Sequence, residues 1–163
     1  MSTRTKAIFG DFQTPLTLAG EAMNCIMAAT RDIHAVVEPT CGTGSFLRAA
    51  AEMLGPEVHY YGFDINSDYV QISNEMLKSL GVEATIQCRD FYQIDWHQVF
   101  SEISGHILVV GNPPWVTNSA LAVLQGENLP VKSNFHGHNG LSAKMGKANF
   151  DISEWMLIHL LES

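Results

Sequence analysis

Residues 35–44, Ala35-Val36-Val37-Glu38-Pro39-Thr40-Cys41-Gly42-Thr43-Gly44, decide the fold, because an apolar run turns at once into a tight glycine loop. The apolar residues before Glu38 predict a short buried strand, and the apolar spacing over residues 46–54 predicts a helix directly after the loop. Gly42 and Gly44 allow the backbone to approach a neighbour or a ligand without a clash at Cβ. The stretch therefore predicts a strand–loop–helix unit whose loop is either a tight turn or part of a ligand site.

The same succession of strands and helices continues on both sides of this unit. Further strands are predicted at residues 58–65, 83–88 and 106–110, and further helices at about 15–30, 66–80, 96–103 and 152–161. Thr14 is predicted as the N-cap of the first helix, with Pro15 at its first position. This alternation indicates a doubly wound parallel α/β sheet, with right-handed crossovers that place helices on both faces.

Length, charge and cysteine content limit the class of protein. A chain of 163 residues, 46% hydrophobic and 16% charged, is expected to form one globular domain. A net charge of −8 with nine Lys and Arg argues against a self-sufficient nucleic-acid binder, since phosphate neutralisation supplies most non-specific affinity. The three cysteines match no disulfide or metal framework, and no secretory signal or membrane span is found, so we expect a cytoplasmic protein without a metal site.

Polar or aromatic residues follow each of the four predicted strands. They are Glu38 with the glycine loop, then Asp64, then Asp90-Phe91, and finally Asn112-Pro113-Pro114-Trp115. Ligands of open parallel α/β sheets bind outside the carboxyl ends of the strands. We therefore expect these four strand ends to form one site.

Spacing and charge around the glycine loop favour an adenosine cofactor. Asp64 lies 20 residues beyond Gly44, where an acidic residue can accept hydrogen bonds from a ribose diol. Leu47 stands where a dinucleotide-binding loop needs a small residue, and Glu38 would repel a pyrophosphate but attract an ammonium group. A ligand with ribose, adenine and ammonium but no phosphate is S-adenosylmethionine. Asp90 can accept from its adenine amine, whereas Phe91 is either an adenine contact or a core residue.

The corner Asn112-Pro113-Pro114-Trp115 suits a planar amine-bearing group. Each proline restricts the residue before it to extended geometry and has no N–H to donate. The corner therefore offers a side-chain amide, a carbonyl and a flat aromatic surface. Taken alone, these residues fit a proline-rich turn after a buried strand equally well.

Taken together, these residues resemble the class I DNA adenine-N6 methyltransferases of restriction–modification systems. Residues 10–15 (Gly-Asp-Phe-Gln-Thr-Pro) are similar to their N-terminal cofactor motif, residues 38–47 to their glycine-loop motif, and residues 111–115 to their catalytic Asn-Pro-Pro-aromatic motif. Residues 62–65 and 90–91 resemble the ribose and adenine motifs, and residues 147–150 the segment beyond catalysis. The resemblance begins near residue 9 and implies a Rossmann-like S-adenosylmethionine methyltransferase fold.

The resemblance also implies a site and a reaction. The catalytic residues would be Asn112, Pro113, Pro114 and Trp115. The cofactor residues would be Phe12, Thr14, Pro15, Glu38, Thr40, Cys41, Gly42, Gly44, Asp64, Ile65, Asp90, Phe91 and Asn112. Asn112 Oδ1 and the Pro113 carbonyl would accept from the N6 amine of an adenine flipped out of double-stranded DNA, on which Trp115 would stack. S-adenosylmethionine would supply the methyl group.

The resemblance covers part of a fold that has seven strands in the family. Residues 1–163 are therefore expected to be a partial catalytic domain, truncated after the fourth strand and the helix that follows it, without a DNA-recognition domain. Residues 116–149, rich in Gly, Asn, Ser and Lys, are expected to form a mobile substrate-covering loop. The apolar fourth strand is central in the family but would be an edge here, which predicts self-association or a complementing chain through this strand and the last helix.

Two alternative functions remain open from the sequence. Methyltransferases that act on protein glutamine or on an rRNA base also use Asn-Pro-Pro with an aromatic residue, often tyrosine. The glycine-loop run over residues 38–47 favours the DNA group over these. The second alternative is an inactive or split fragment that needs a partner chain.

Overall fold

The computed structural model describes residues 13–30, 32–114 and 152–163. Its elements in chain order are α1 (Leu16–Ala29), β1 (Ile33–Glu38), α2 (Ser45–Leu54), β2 (His59–Asp64), α3 (Ser67–Ser79), β3 (Ala84–Cys88), α4 (Trp96–Glu102), β4 (His106–Val109) and α5 (Ile152–Leu161). A short 3₁₀ helix, Phe91–Gln93, lies between β3 and α4. Within the described ranges, no helix is long and apolar enough to cross a membrane.

The four strands form one parallel sheet in the order β3-β2-β1-β4. The register aligns Val36 of β1 with Tyr60 of β2 on one side and with Leu108 of β4 on the other. The strand order reverses at β1, so the crevice between the ends of β1 and β4 is the topological switch point. This architecture confirms the predicted doubly wound, Rossmann-like sheet.

Helices cover both faces of the sheet, as the crossover rule predicts. On one face, Val36 and Tyr60 are fully buried in a cluster that also contains Leu47 of α2 and Leu77 of α3. Side chains alternate across a strand, so Phe63 lies on the opposite face from Tyr60. There Phe63 meets Trp96 at the start of α4, with ring centroids 5.1 Å apart. The sheet is thus held from two sides, which fixes the positions of its carboxyl ends.

The start of α1 differs from the prediction. Thr14 is not the N-cap: the helix begins at Leu16, and Pro15 takes the cap position with ψ of 138°. No side chain caps the helix, and the Thr14 hydroxyl accepts instead from the side chain of Asn112. A helix-start pattern therefore predicted the helix but assigned the wrong partner to its threonine.

The fourth strand and the last helix belong to two different compact units. In the part of the chain that the structure describes, β4 pairs only with β1 and lies at the edge of the sheet, with Val109 exposed. Residues 13–112 form one compact unit, and a second contains Pro113, Pro114 and α5. In α5, Trp155 stacks on His159 one turn later. The predicted mobile loop over residues 116–149 falls outside the described residues.

Candidate functional site

The carboxyl ends of the four strands bring most of the predicted site residues to one edge of the sheet. Glu38 ends β1, Asp64 ends β2, Asp90 follows β3, and Asn112 follows β4. The ends of β2 and β3 are joined directly, because the Arg89 N–H donates to the Asp64 carbonyl over 3.0 Å. A side chain at Gly111 would place its Cβ 3.4 Å from Glu38 Cγ, so the residue before Asn112 lies against Glu38.

The glycine loop between β1 and α2 depends on two glycines with positive φ. Gly42 has φ of 51° and Gly44 has φ of 82°, in the left-handed region that favours glycine. A Cβ on Gly42 would meet the side chain of Gln13, and one on Gly44 would meet Ser73 of α3. Both conformation and space therefore require glycine here, because the loop packs closely against Gln13 and Ser73.

Asp64 holds the glycine loop in place. Its Oδ2 accepts from the Gly42 N–H over 2.8 Å, and its Oδ1 accepts from the Asn66 N–H over 2.8 Å. A carboxylate can accept several hydrogen bonds, so the ribose hydroxyls of a ligand stay a predicted partner of Asp64 beside these backbone groups. Asp64 thus joins the end of β2 to the loop after β1.

Glu38 is a buried carboxylate at the switch point, with 3% of its surface exposed. Its Oε2 accepts from the Leu47 N–H in the first turn of α2 over 3.3 Å. Burial raises the pKa of Glu38 well above its usual range, the Leu47 hydrogen bond opposes this, and the charge of Asp64 adds to it. An ammonium group placed beside this carboxylate would relieve the cost of its charge, so Glu38 fits the amine of the cofactor.

Asn112 makes a long-range side-chain contact within the unit of residues 13–112. Its Nδ2 donates to Thr14 Oγ1 over 3.3 Å, across 98 positions of sequence. The predicted cofactor residue Thr14 and the predicted catalytic residue Asn112 therefore meet. The sequence placed both in one site but gave no reason to expect this bond.

Asp90 and Phe91 have different surroundings, although they are consecutive. Asp90 caps the 3₁₀ helix, with Oδ1 accepting from the Tyr92 N–H over 3.1 Å. Phe91 is only 5% exposed, and its ring packs against Trp96 with centroids 5.0 Å apart. Of the two readings open for Phe91, the core role is observed, and contact with an adenine stays a prediction. Ile65 beside Asp64 is 49% exposed and offers apolar surface at the same edge.

Gln13 lies within the N-terminal cofactor motif, but the sequence did not identify it as a site residue. Its Oε1 accepts from the Thr43 backbone N–H over 2.9 Å and from the Thr43 hydroxyl over 3.1 Å. The side chain therefore lies over the glycine loop, against Gly42. Its place directly before Thr14 is the signal from which its proximity to the site could have been predicted.

Among the remaining predicted residues, Cys41 has a structural role in the glycine loop. Cys41 is buried, and its N–H donates to the Phe63 carbonyl over 2.8 Å, which ties the loop to β2. Burial, followed by the charges of Glu38 and Asp64, raises the pKa of the Cys41 thiol, so it is a poor nucleophile at neutral pH. Thr40 is partly buried in the same loop, and Pro15 is exposed before α1.

Part of the predicted catalytic corner cannot be placed with Asn112. Pro113 and Pro114 follow it in the chain but belong to the second unit, and Trp115 and Phe12 lie outside the described residues. Their roles therefore stay predictions from the resemblance.

The residues that are placed fit S-adenosylmethionine by their chemistry. A buried carboxylate suits the ammonium group, Asp64 suits the ribose hydroxyls, and Asp90 suits an adenine amine. The N–H groups of Gly42 and Thr43 are bonded to Asp64 and Gln13, and the site holds carboxylates where a pyrophosphate would be repelled. Among the residues with described placement, no group of three His, Cys, Asp or Glu side chains could hold a metal ion.

Comparison with known proteins agrees with this assignment. A family model described as "Methyltransferase domain" matches residues 32–125, more than half of the chain. The match spans all four strands and the four strand ends that carry the site. It confirms the fold class and the prediction of S-adenosylmethionine as the cofactor.

Two curated relatives share most of this chain. The Type II methyltransferase M.NspV from a Nostoc species is 44% identical over 160 residues, covering 98% of this chain and 33% of that protein. The Type II methyltransferase M.VspI from a Vibrio species is 32% identical over 129 residues, covering 76% of this chain and 27% of that protein. The chain thus spans about a third of the length of the curated relatives it matches.

A solved structure with a partly similar backbone is a SAM-dependent O-methyltransferase from Thermotoga maritima. It is 13% identical with a TM-score of 0.41, over 58% of this chain and 37% of that one.

Proposed function

Because the chain belongs to the methyltransferase domain family, we propose that it transfers a methyl group to the N6 amine of an adenine in double-stranded DNA. The chain's own acceptor for that amine is Asn112, at the end of the strand next to β1. The relatives named Type II methyltransferases support a restriction–modification setting, which the sequence motifs also imply. The proposal concerns the substrate and the atom that is methylated.

On the cofactor side, the carboxylates of the sheet edge orient the ligand. S-adenosylmethionine supplies an electrophilic methyl group when bound. Glu38 receives the ammonium group, since a cation compensates the cost of a buried carboxylate. Asp64 accepts from the ribose hydroxyls while it keeps the glycine loop closed on β2. Asp90 accepts from the adenine amine beyond β3.

On the substrate side, Asn112 and the Pro113 carbonyl act as hydrogen-bond acceptors. The lone pair of an aromatic amine is delocalised into the ring, so the nitrogen is a weak nucleophile. Two acceptors on its N–H groups favour a more tetrahedral nitrogen and stabilise the positive charge that develops during transfer. This is preorganised electrostatic stabilisation, which costs no reorganisation at the moment of reaction. A strong side-chain base is not required, because the methylated ammonium loses its proton readily.

Double-stranded DNA as the partner requires the base to leave the helix. Flipping costs a few kcal/mol of unstacking. Stacking on an aromatic ring, assigned here to Trp115, returns about 1–3 kcal/mol. With a net charge of −8, the chain offers little non-specific attraction to phosphates. We therefore assign sequence recognition to regions that the longer relatives have beyond the matched third.

The observation that carries the proposal is the meeting of the two predicted half-sites at the switch point. Gly111, one residue before Asn112, lies against Glu38, and Asn112 itself is bonded to Thr14. A turn after a buried strand has no need of either contact. An amine held by Asn112 would therefore lie close to a ligand held by Glu38.

The test is mass spectrometry of nucleosides after incubation with S-adenosylmethionine that carries a deuterated methyl group. The acceptor is plasmid DNA that lacks adenine methylation, and total RNA and protein are supplied in parallel reactions. We expect labelled N6-methyldeoxyadenosine with the wild-type chain and none with Asn112→Ala. The exposed Asn74 of α3, changed to alanine, is the matched control and should retain the product.

Three outcomes would contradict the proposal. Label on protein glutamine or on RNA would favour the first alternative function. Label on a cytosine would contradict the assigned acceptor atom. Absence of label from DNA, RNA and protein, although the cofactor binds, would favour the fragment that needs a partner chain.

A further inference from the structure

Two consecutive residues, Gln13 and Thr14, contact the two halves of the site separately. Gln13 Oε1 accepts from the backbone N–H and the hydroxyl of Thr43 in the glycine loop, over 2.9 Å and 3.1 Å. Thr14 Oγ1 accepts from Asn112 Nδ2 over 3.3 Å. All four residues belong to the unit of residues 13–112. The short segment before α1 therefore bridges the cofactor loop and the catalytic asparagine.

We propose that Thr14 is a positioning residue for Asn112, in addition to its expected contact with the cofactor. The proposal rests on the proposed function, in which Asn112 accepts a hydrogen bond from the substrate amine. An asparagine amide has a donor end and an acceptor end, and a half-turn of the amide exchanges them. Only one of the two orientations presents Oδ1 to an amine, so a contact that holds the amide in that orientation assists the reaction.

The hydrogen bond to Thr14 holds the amide in the observed orientation. The Thr14 hydroxyl accepts from Nδ2, and because the amide is planar, fixing Nδ2 also fixes the direction of Oδ1. Thr14 itself has little freedom, since its side chain is β-branched and the residue before Pro15 is restricted to extended geometry. A stiff acceptor therefore stands beside the amide.

Gln13 fixes the position of Thr14 relative to the glycine loop. Its two bonds to Thr43 fix the backbone one residue before Thr14.

The experiment compares Thr14→Val, which removes the acceptor, with Thr14→Ser, which keeps it. The exposed Thr17, one turn into α1, provides the control Thr17→Val. The first readout is the ¹⁵N-resolved side-chain amide signal of Asn112, identified by its loss in Asn112→Ala. In Thr14→Val we expect these signals to shift and to show faster motion, whereas Thr14→Ser and Thr17→Val should match the wild type.

The second readout is the division of the kinetic effect between kcat and KM. Loss of one neutral hydrogen bond to Asn112 predicts a fall in kcat of about 3- to 10-fold for Thr14→Val, in addition to any rise in the KM for S-adenosylmethionine from the lost cofactor contact. Thr14→Ser should recover most of the loss. A merely structural role would instead lower the melting temperature with no change in the Asn112 signals.

Two results would overturn the positioning role. One is an Asn112 amide that behaves in Thr14→Val as it does in the wild type. The other is a rise in KM alone, which would leave Thr14 as a cofactor contact only. Failure of the proposed function is distinct from both: a wild-type chain that binds the cofactor but methylates no amine contradicts that function, while the amide signals still decide whether Thr14 orients Asn112.

Discussion

At the scale of single residues, the burial of Glu38 lowers the stability of the free chain but suits the binding of a cation. Burial raises the pKa of its carboxyl group in the folded chain, while in the unfolded chain the group is solvated. A folded pKa above the unfolded one means that this group favours folding most at low pH. The contribution is lost as the pH rises through the raised folded pKa. The burial of Glu38 therefore costs the free protein stability as the pH rises, and a cation bound beside the carboxylate would offset that cost.

The prediction at this scale is that Glu38→Gln stabilises the free chain and weakens cofactor binding. Glutamine retains an oxygen for the Leu47 N–H but carries no charge. Thermal unfolding at pH 8 should show a higher Tm for the variant, and the difference should shrink as the pH falls through the raised pKa of Glu38. The exposed Glu57, changed to glutamine, is the control for replacing a surface carboxylate. A wild type that melts above the variant at pH 8 would contradict this account.

At the scale of elements, the start of α2 is fixed by its close approach to α3. Gly44 caps α2 with φ of 82°, and a Cβ there would meet Ser73 of α3. Gly81, which follows α3, has φ of 72° but nothing within 4 Å of an added Cβ. Both glycines have positive φ, and they differ in the space around them.

We predict that Gly44→Ala is more destabilising than Gly81→Ala. Positive φ alone costs an alanine about 1 kcal/mol, and overpacking against α3 adds about 1–3 kcal/mol at Gly44 only. Urea unfolding measures both, and Ser73→Ala in the Gly44→Ala background should recover part of the difference. Equal losses of stability for the two single variants would show that the contact with α3 contributes nothing.

Sequence periodicity predicted the elements well, since β-strand and helix patterns depend on local apolar spacing. Alternation and crossover handedness predicted a parallel sheet with helices on both faces, but they do not determine the strand order, such as the position of β4 beside β1. The pairing of Thr14 with Asn112 could not be predicted, because 98 residues separate them and each had a plausible local role. The same holds for Phe91, whose burial depends on where α4 places Trp96.

At the scale of the whole molecule, net charge bears on whether this chain binds DNA. Its net charge of −8 gives little attraction to phosphates, and it matches about a third of the relatives' length. We therefore propose that DNA is bound by regions that the relatives have outside the matched part. Among the described residues, β4 lies at the edge of the sheet, where its unpaired backbone groups can bind another strand. We therefore predict self-association, or binding of a complementing chain, through this strand. Sedimentation equilibrium of the chain tests it, and a monomer at all concentrations would contradict it.

Isothermal titration with S-adenosylmethionine tests the central claim that the carboxyl ends of the sheet form one cofactor site. We predict heat of binding for the wild type and affinity at least about tenfold weaker for Asp64→Asn, which loses charge-assisted bonds to the ribose. Asp68→Asn, at an exposed position on α3, should bind as the wild type does. A folded wild-type chain that gives no heat, or an Asp64→Asn variant with unchanged affinity, would contradict the claim.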